Sequence, residues 1–146
     1  MPIVTGTYQI KNLMGGTILA NGMAPDGRRV VWGWTDDGSL CQRWGVEFTP
    51  GRVNCCTIQN ISTGRYLAPD GPHDNCRLAG VEELTFWNIG IPEGSAYIVI
   101  PNTTCVADLD DSNAANGTTI YLQNRVNGPD QGQQKWLFEE IAHLNE

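Results

Sequence analysis

The chain has few basic residues for its content of acidic ones. Nine lysines and arginines stand against sixteen aspartates and glutamates, so the formal net charge is -7. The basic residues are also spread along the sequence. Because nucleic acids and anionic membranes are bound by concentrated Lys and Arg, we expect neither as a partner.

Long apolar runs are missing as well. No stretch approaches the length of a membrane span, so we expect no membrane insertion. The opening residues 1–6 show neither the basic segment nor the long apolar segment of a secretory signal. We therefore expect a cytoplasmic location, with any outward action following release or ingestion.

Residues suited to catalysis or metal binding are scarce. There are two histidines, and neither lies in a nucleophile–base context with a serine or cysteine. His73 and Cys76 are close in sequence but would need further ligands to hold a metal. The five cysteines include no CxxC pair, and we expect reduced, mostly buried thiols. The sequence thus predicts no enzyme, no metal and no cofactor.

Glycine and proline, in contrast, are abundant. The chain contains 17 Gly and 8 Pro, many of them in turn-forming pairs such as Gly15-Gly16 and Asn116-Gly117. Short apolar or alternating runs lie between these turns, for example Thr7–Ile10 and Tyr97–Ile100. No stretch has a helical period over three turns. This pattern predicts an all-β protein.

Three similar segments follow one another along the chain. Their tryptophans are Trp44, Trp87 and Trp136, separated by 43 and 49 residues. A short motif precedes each tryptophan: Leu19-Ala20, Leu67-Ala68 and Val106-Ala107. We expect one domain, 1–146, made of repeats at roughly 6–50, 51–94 and 95–142, with four strands each and about twelve in all.

The residues around these tryptophans resemble a known family. Gln42-Arg43-Trp44 and Gln134-Lys135-Trp136 match the QxW motif of ricin-B-like domains, while Thr85-Phe86-Trp87 keeps only the Trp. With the Gly6-Thr7-Tyr8 opening, the chain is most similar to the cytoplasmic β-trefoil lectins of mushrooms and other fungi. The resemblance implies a β-trefoil in which Trp44, Trp87 and Trp136 fill the core. In such a fold Gln42 and Gln134 would satisfy turn backbone groups.

The family also implies one shallow sugar pocket per repeat. Each pocket uses an acid or amide after the second strand, an aromatic side chain that stacks on the sugar, and a polar residue before the QxW Gln. In the third repeat these positions point to Asp108, Asn124 and Gln133. No aromatic residue is evident there, since the stacking position falls near Gln123 or Asn124.

In the first repeat we take Asn21 for the acidic position and Trp34 for the stacking position, with Asp36 and Asp37 following. Trp32 should share a strand face with Trp34 if the strand continues that far. The intervening Gly33, however, suggests a bulge or a turn. In the second repeat the acidic position falls on Pro69, and we expect no sugar site.

The resemblance therefore predicts a non-catalytic lectin that binds glycans or glycoproteins, of the galactose or N-acetylgalactosamine type towards which the family leans. It also allows a homodimer. An alternative is a fungal β-trefoil protease inhibitor of the mycocypin-like kind, acting through an exposed loop around Arg28. An actin-bundling or growth-factor-like trefoil has less support, because those chains do not usually carry QxW motifs.

Overall fold

The computed structural model describes residues 3–71, 76–90, 96–126 and 132–141, and these contain twelve β-strands. The strands are β1 Gly6–Asn12, β2 Ile18–Met23, β3 Arg29–Trp34, β4 Trp44–Phe48, β5 Cys55–Asn60, β6 Tyr66–Pro69, β7 Leu78–Val81, β8 Phe86–Gly90, β9 Tyr97–Val99, β10 Cys105–Leu109, β11 Thr118–Asn124 and β12 Trp136–Glu140. Short 3₁₀ turns lie at Leu40–Gln42, Asp110–Ser112 and Gly132–Gln134. None of the described segments is a helix with the length and hydrophobicity of a membrane span. The prediction of an all-β protein is confirmed.

Six of the strands form a closed antiparallel ring. β1 pairs with β4, β4 with β5, β5 with β8, and β8 with β9. A bridge between Ala96 and Trp136 brings the start of β9 to β12, and β12 pairs with β1. The ring is thus a barrel without a free edge.

The other six strands form three hairpins: β2–β3, β6–β7 and β10–β11. These hairpins meet one another, since β3 pairs with β11 and Arg77 bridges to Tyr121. The pattern of two barrel strands and one hairpin therefore occurs three times in chain order. This is the arrangement of a β-trefoil.

Three buried tryptophans connect the barrel to the hairpins. Trp44, Trp87 and Trp136 have no exposed surface. Their indole Nε1–H groups donate to the main-chain oxygens of Leu19 (2.9 Å), Leu67 (2.8 Å) and Ala107 (3.2 Å). Each indole thus adds a large apolar area to the core and has its only polar group satisfied.

Gly33 lies inside strand β3, so the expectation of a bulge or turn at this position was wrong. It pairs with Leu19 of β2 and with Thr118 of β11. A Cβ atom on residue 33 would lie 2.6 Å from Thr17 Oγ1 and 3.1 Å from Leu109 Cδ1. The glycine is required because the side chains of Thr17 and Leu109 pack closely against this position.

We predict that Gly33→Ala lowers the free energy of unfolding by about 1–3 kcal/mol, because the added methyl group must displace Thr17 or Leu109. The matched control is Gly90→Ala in β8, where a Cβ would meet nothing within 4 Å. The free energy of unfolding of this control variant should stay within about 0.5 kcal/mol of the wild-type value. Urea unfolding of both variants measures this, and equal stabilities would contradict the packing explanation.

Candidate functional site

A cavity of about 210 Å³ lies beside the first hairpin. Strand β2 forms its floor, β3 one wall, and the chain from Asp37 to Gln42 the other. The residues that line it are Ala20, Gly22, Trp32, Trp34, Asp37, Cys41 and Gln42. It therefore brings together two residues that the sequence predicted for one site, Trp34 and Asp37.

Two indoles form the apolar wall of this cavity. Trp32 and Trp34 both belong to β3, lie on the same face of the strand and have ring centroids 5.2 Å apart at an interplanar angle of 34°. Both side chains are half-buried. Gly22 has room for no side chain, because a Cβ there would collide with the indole of Trp32. The missing side chain thus lets Trp32 pack directly against β2.

The segment after Trp34 is fixed by the amide of Gln42. Gln42 Nε2 donates to the oxygen of Thr35 (2.8 Å), and the N–H of Asp37 donates to Gln42 Oε1 (3.1 Å). From the other side, Asn116 Oδ1 accepts from both the N–H and the hydroxyl of Thr35, at 2.7 and 2.8 Å. Buried Gln42 thus satisfies turn backbone groups and holds Trp34 and Asp37 in place.

Asp37 provides a charged acceptor at the rim of the cavity. Its side chain is exposed, and its Oδ1 accepts from the N–H of Ser39 at 2.9 Å. Hydrogen bonding from the side chain and the backbone of Ser39 holds the pKa of Asp37 below its usual value. The carboxylate is therefore ionised at neutral pH and can accept hydrogen bonds from hydroxyl groups.

Asp36 and Asn21 lie outside this cavity. The carboxylate of Asp36 accepts from the N–H of Gly38 (3.1 Å) in the adjoining turn. Asn21 is only 2% exposed. Its Nδ2 donates to the oxygen of Val30 (3.0 Å), and its Oδ1 accepts from the hydroxyl of Thr63 (2.8 Å). Both polar ends of the Asn21 amide thus bind other parts of the protein.

A second polar cluster surrounds Gln134 in the third repeat. Gln134 Nε2 donates to Asp108 Oδ2 and to the oxygen of Asn124, both at 3.0 Å, and Gln134 Oε1 accepts from the N–H of Val126 at 2.9 Å. Gln133 precedes Gln134 in the same 3₁₀ turn, and its main-chain oxygen accepts a hydrogen bond from Asn12 Nδ2. The predicted residues Asp108 and Asn124 are thus brought together by the QxW glutamine.

The two glutamines show which positions of the two repeats correspond. Gln42 binds Thr35 and Asp37, and Gln134 makes the same two backbone bonds to Asn124 and Val126. The counterpart of Trp34 is therefore Gln123, and the counterpart of Asp37 is Val126. The third repeat keeps an acid in Asp108, but it lacks both the aromatic wall and the carboxylate at the rim.

The same correspondence corrects the assignment of Asn21. Leu19 pairs with Gly33 and accepts from the Trp44 indole, as Ala107 pairs with Leu122 and accepts from Trp136. Asp108 therefore corresponds to Ala20, and to Ala68 in the second repeat, instead of to Asn21 and Pro69. A shift of one residue along a strand places a side chain on the opposite face. Asn21 consequently points into the protein.

Other predicted features fall elsewhere. Arg28 is exposed in the β2–β3 turn, where its Nε donates to Asp26 Oδ2 at 2.7 Å. Cys55 and Cys56 are buried, and burial raises the pKa of Cys56 to about 12, so this thiol is unreactive. Within the described ranges, no three His, Cys, Asp or Glu residues are placed to hold a metal. His73 lies outside those ranges.

Asp108 is a buried acid whose pKa is raised, mainly by loss of solvent, with the Gln134 hydrogen bond opposing and Asp110 adding to the rise. A raised pKa means that the folded state binds this proton more tightly than the unfolded chain. Asp108 therefore lowers stability as the pH rises from its unfolded pKa through its folded pKa.

We predict that Asp108→Asn raises the free energy of unfolding relative to wild type at pH 7, because it removes a buried charge and keeps an acceptor for Gln134. The gain should disappear below about pH 3.9, the ordinary aspartate pKa, where the wild-type residue is protonated in both states. Asp36→Asn, at an exposed aspartate that does not act on the pKa of Asp108, is the control. Thermal unfolding between pH 3 and 7 tests this, and a gain independent of pH would contradict it.

The fold is shared with several solved structures. The Rhizoctonia solani agglutinin superposes with a TM-score of 0.85 at 26% identity, over 97% of this chain and 99% of that one. The Macrolepiota procera ricin B-like lectin, in a complex with lactose, gives 0.84 at 24% identity over the same shares. The designed threefold-symmetric protein ThreeFoil gives 0.80 at 14% identity, over 93% of this chain and 99% of that one.

Similarity to known proteins is not detected at the level of sequence alone. No protein-family model matches the chain, and no curated protein matches it. The agreement with the agglutinin and the ricin B-like lectin extends over nearly the full length of both partners, as expected from the QxW motifs at Gln42 and Gln134. The chain therefore has the fold of the fungal ricin-B-like β-trefoil lectins, and the resemblance carried by its QxW motifs is confirmed.

Proposed function

We propose that the protein is a non-catalytic lectin and that its principal sugar site is the cavity beside Trp32 and Trp34. The proposal treats the chain as one domain of three repeats, 6–50, 51–94 and 95–142, with the principal site in the first. The observation that carries it is the placement of two half-buried indoles and the ionised Asp37 around a single cavity.

This arrangement suits the two kinds of surface on a sugar ring. The C–H groups on one face of a pyranose are apolar and pack against an indole, while hydroxyl groups at the ring edge donate to a carboxylate. Trp34 and Asp37 are held at fixed positions by Gln42, so little ordering is needed on binding. A cavity of about 210 Å³ has room for about one ring.

Galactose-type sugars are the proposed ligands. Galactose has its C–H groups concentrated on one face because its 4-hydroxyl points to the other, which favours stacking on a single aromatic wall. The Macrolepiota procera lectin, whose structure contains lactose, supports the same choice. Glycoproteins that display terminal galactose or N-acetylgalactosamine would then be the partners. The resemblance also supports a homodimer and a cytoplasmic location.

The cluster around Asp108, Asn124 and Gln133 is the proposed secondary site. It offers a buried carboxylate, as the family pattern requires, but Gln123 and Val126 stand where the first repeat has Trp34 and Asp37. We therefore propose weaker binding there than in the first repeat. Two sites of unequal strength would still increase avidity for a surface that displays many sugars.

We predict that Asp37→Asn weakens lactose binding at least about tenfold, because a neutral amide oxygen is a weaker acceptor than a carboxylate. The matched control is Asp36→Asn, the same change at the adjacent residue, which does not line the cavity. It should change the affinity by less than about twofold, since its charge acts only through solvent. Isothermal titration calorimetry measures both, and equal losses would argue against this cavity.

We also predict that Trp34→Ala abolishes measurable lactose binding while the protein stays folded, because Trp34 is at the surface end of β3. A glycan array on the wild type and this variant tests sugar specificity without prior choice of ligand. No bound glycan for a folded wild type would contradict the lectin proposal.

The inhibitor alternative is tested with the same protein. Arg28 would have to leave its bond to Asp26 to enter a trypsin-like pocket. Trypsin and papain assays at micromolar protein decide this alternative, and inhibition that is lost in Arg28→Ala would support it.

A further inference from the structure

Several basic residues of this acidic protein line the same cavity. The chain has nine lysines and arginines and a net charge of -7. Four of the nine line a single cavity of about 490 Å³: Arg28, Arg29, Arg65 and Arg77. Among the described residues that line it, Asp70 is the one carboxylate. The sequence spreads these arginines over fifty positions, and the fold brings them together.

The cavity lies where the three hairpins meet. Arg28 and Arg29 come from the β2–β3 hairpin, Arg77 precedes β7, and Arg65 precedes β6. Strand β11 adds Thr119. The positions are fixed by the backbone, since Arg77 bridges to Tyr121 and the N–H of Asp70 donates to the oxygen of Arg77 at 2.9 Å. The cavity is thus built by the contact between hairpins, separately from the barrel.

Within the described residues, most of the N–H donors of these arginines have no hydrogen-bond partner. Arg65 lies 3.9 Å from Glu82 and Arg77 lies 3.9 Å from Asp70, both beyond hydrogen-bond distance. Arg28 has a close partner in Asp26 at 2.7 Å, through Nε alone. For Arg29 the described part of the chain supplies no ion pair. Because a guanidinium group carries five N–H donors, a ligand could still be bound by several of them.

A group of four arginines is suited to binding an oxyanion. The planar fork of a guanidinium matches the spacing of oxygens on sulfate, phosphate or carboxylate groups, and several arginines together suit a tetrahedral anion with charge above one. The volume exceeds what an inorganic anion needs, so there is space for the group that carries it. The partly exposed side chains of Trp32 and Val30 provide an apolar wall for that group.

We propose that this inter-hairpin cavity is a binding site for the sulfate or phosphate ester of a small molecule, distinct from the sugar cavity. The arginines bind the oxyanion, and the wall formed by Trp32 and Val30 contacts the attached ring or chain. Trp32 lines both cavities. Occupation of the anion site therefore changes the environment of an indole that also faces the sugar cavity.

Anion binding can be followed through Trp32, because this residue lines both cavities. Inorganic sulfate and inorganic phosphate are titrated separately into the full-length protein, with total ionic strength kept constant by chloride. Tryptophan fluorescence and calorimetry follow binding. We expect saturable binding of one anion per chain with a change in fluorescence. The three core tryptophans are fully buried, and of the two half-buried tryptophans Trp32 lines this cavity whereas Trp34 does not.

Variants separate this site from general charge effects. The double variant R29Q/R77Q removes two cavity charges at exposed positions and should weaken binding at least about tenfold. Arg29→Gln alone, at an exposed residue, should give a smaller loss in the same direction. Arg52→Gln removes the same charge from a residue that packs over Phe86, away from the cavity, and should change binding less than about twofold.

Two further titrations identify the ester. Phenyl sulfate and phenyl phosphate carry the two anions on the same apolar ring and contain no galactose for the sugar cavity, so tighter binding of one assigns the class of ligand. The proposal is overturned if neither inorganic anion binds saturably at constant ionic strength. It is overturned equally if R29Q/R77Q and Arg52→Gln reduce binding to the same extent.

Discussion

The bond between a buried indole and a main-chain oxygen is the interaction on which this structure depends. Each of the three occurrences joins a barrel strand to the hairpin before it, through Leu19, Leu67 or Ala107. Because an indole N–H buried without an acceptor is costly, the bond fixes hairpin and barrel in one arrangement. In the first repeat, Leu19 is followed directly by Ala20, which lines the proposed sugar cavity. The core bond thereby sets the position of the surface site.

A second interaction, made by the amide of the QxW glutamine, fixes the backbone beside the candidate sites of the first and third repeats. Gln42 and Gln134 make the same two backbone bonds, so the segments they hold are closely equivalent. The repeats differ in the side chains placed on that frame. Trp34 and Asp37 give the first repeat an apolar wall and a charged acceptor, whereas Gln123 and Val126 give the third neither. The proposed difference in strength between the two sites thus follows from different side chains on a shared scaffold.

The sequence predicted the fold well because the relevant residues are local and repeated: three tryptophans in register and two QxW motifs. It also predicted Trp34 and Asp37 for one site, and these two residues of one short segment line the same cavity. It placed Asn21 wrongly, because matching Leu-Ala to Val-Ala shifts the register by one residue and strand faces alternate. It missed the arginine cavity, since Arg28 and Arg77 are brought together only by the contact between hairpins. Gly33 was misjudged for the same reason, as its close neighbours Thr17 and Leu109 come from other segments.

The central claim is that Trp34 and Asp37 bind a galactose-type sugar in the first repeat. A crystal structure of the protein soaked with lactose tests it most directly. The account predicts a galactose ring stacked on the indole of Trp34, with a ring hydroxyl within hydrogen-bond distance of the Asp37 carboxylate. Lactose bound only beside Asp108, or an empty Trp32–Trp34 cavity at saturating lactose in a lattice that leaves it open, would contradict the account.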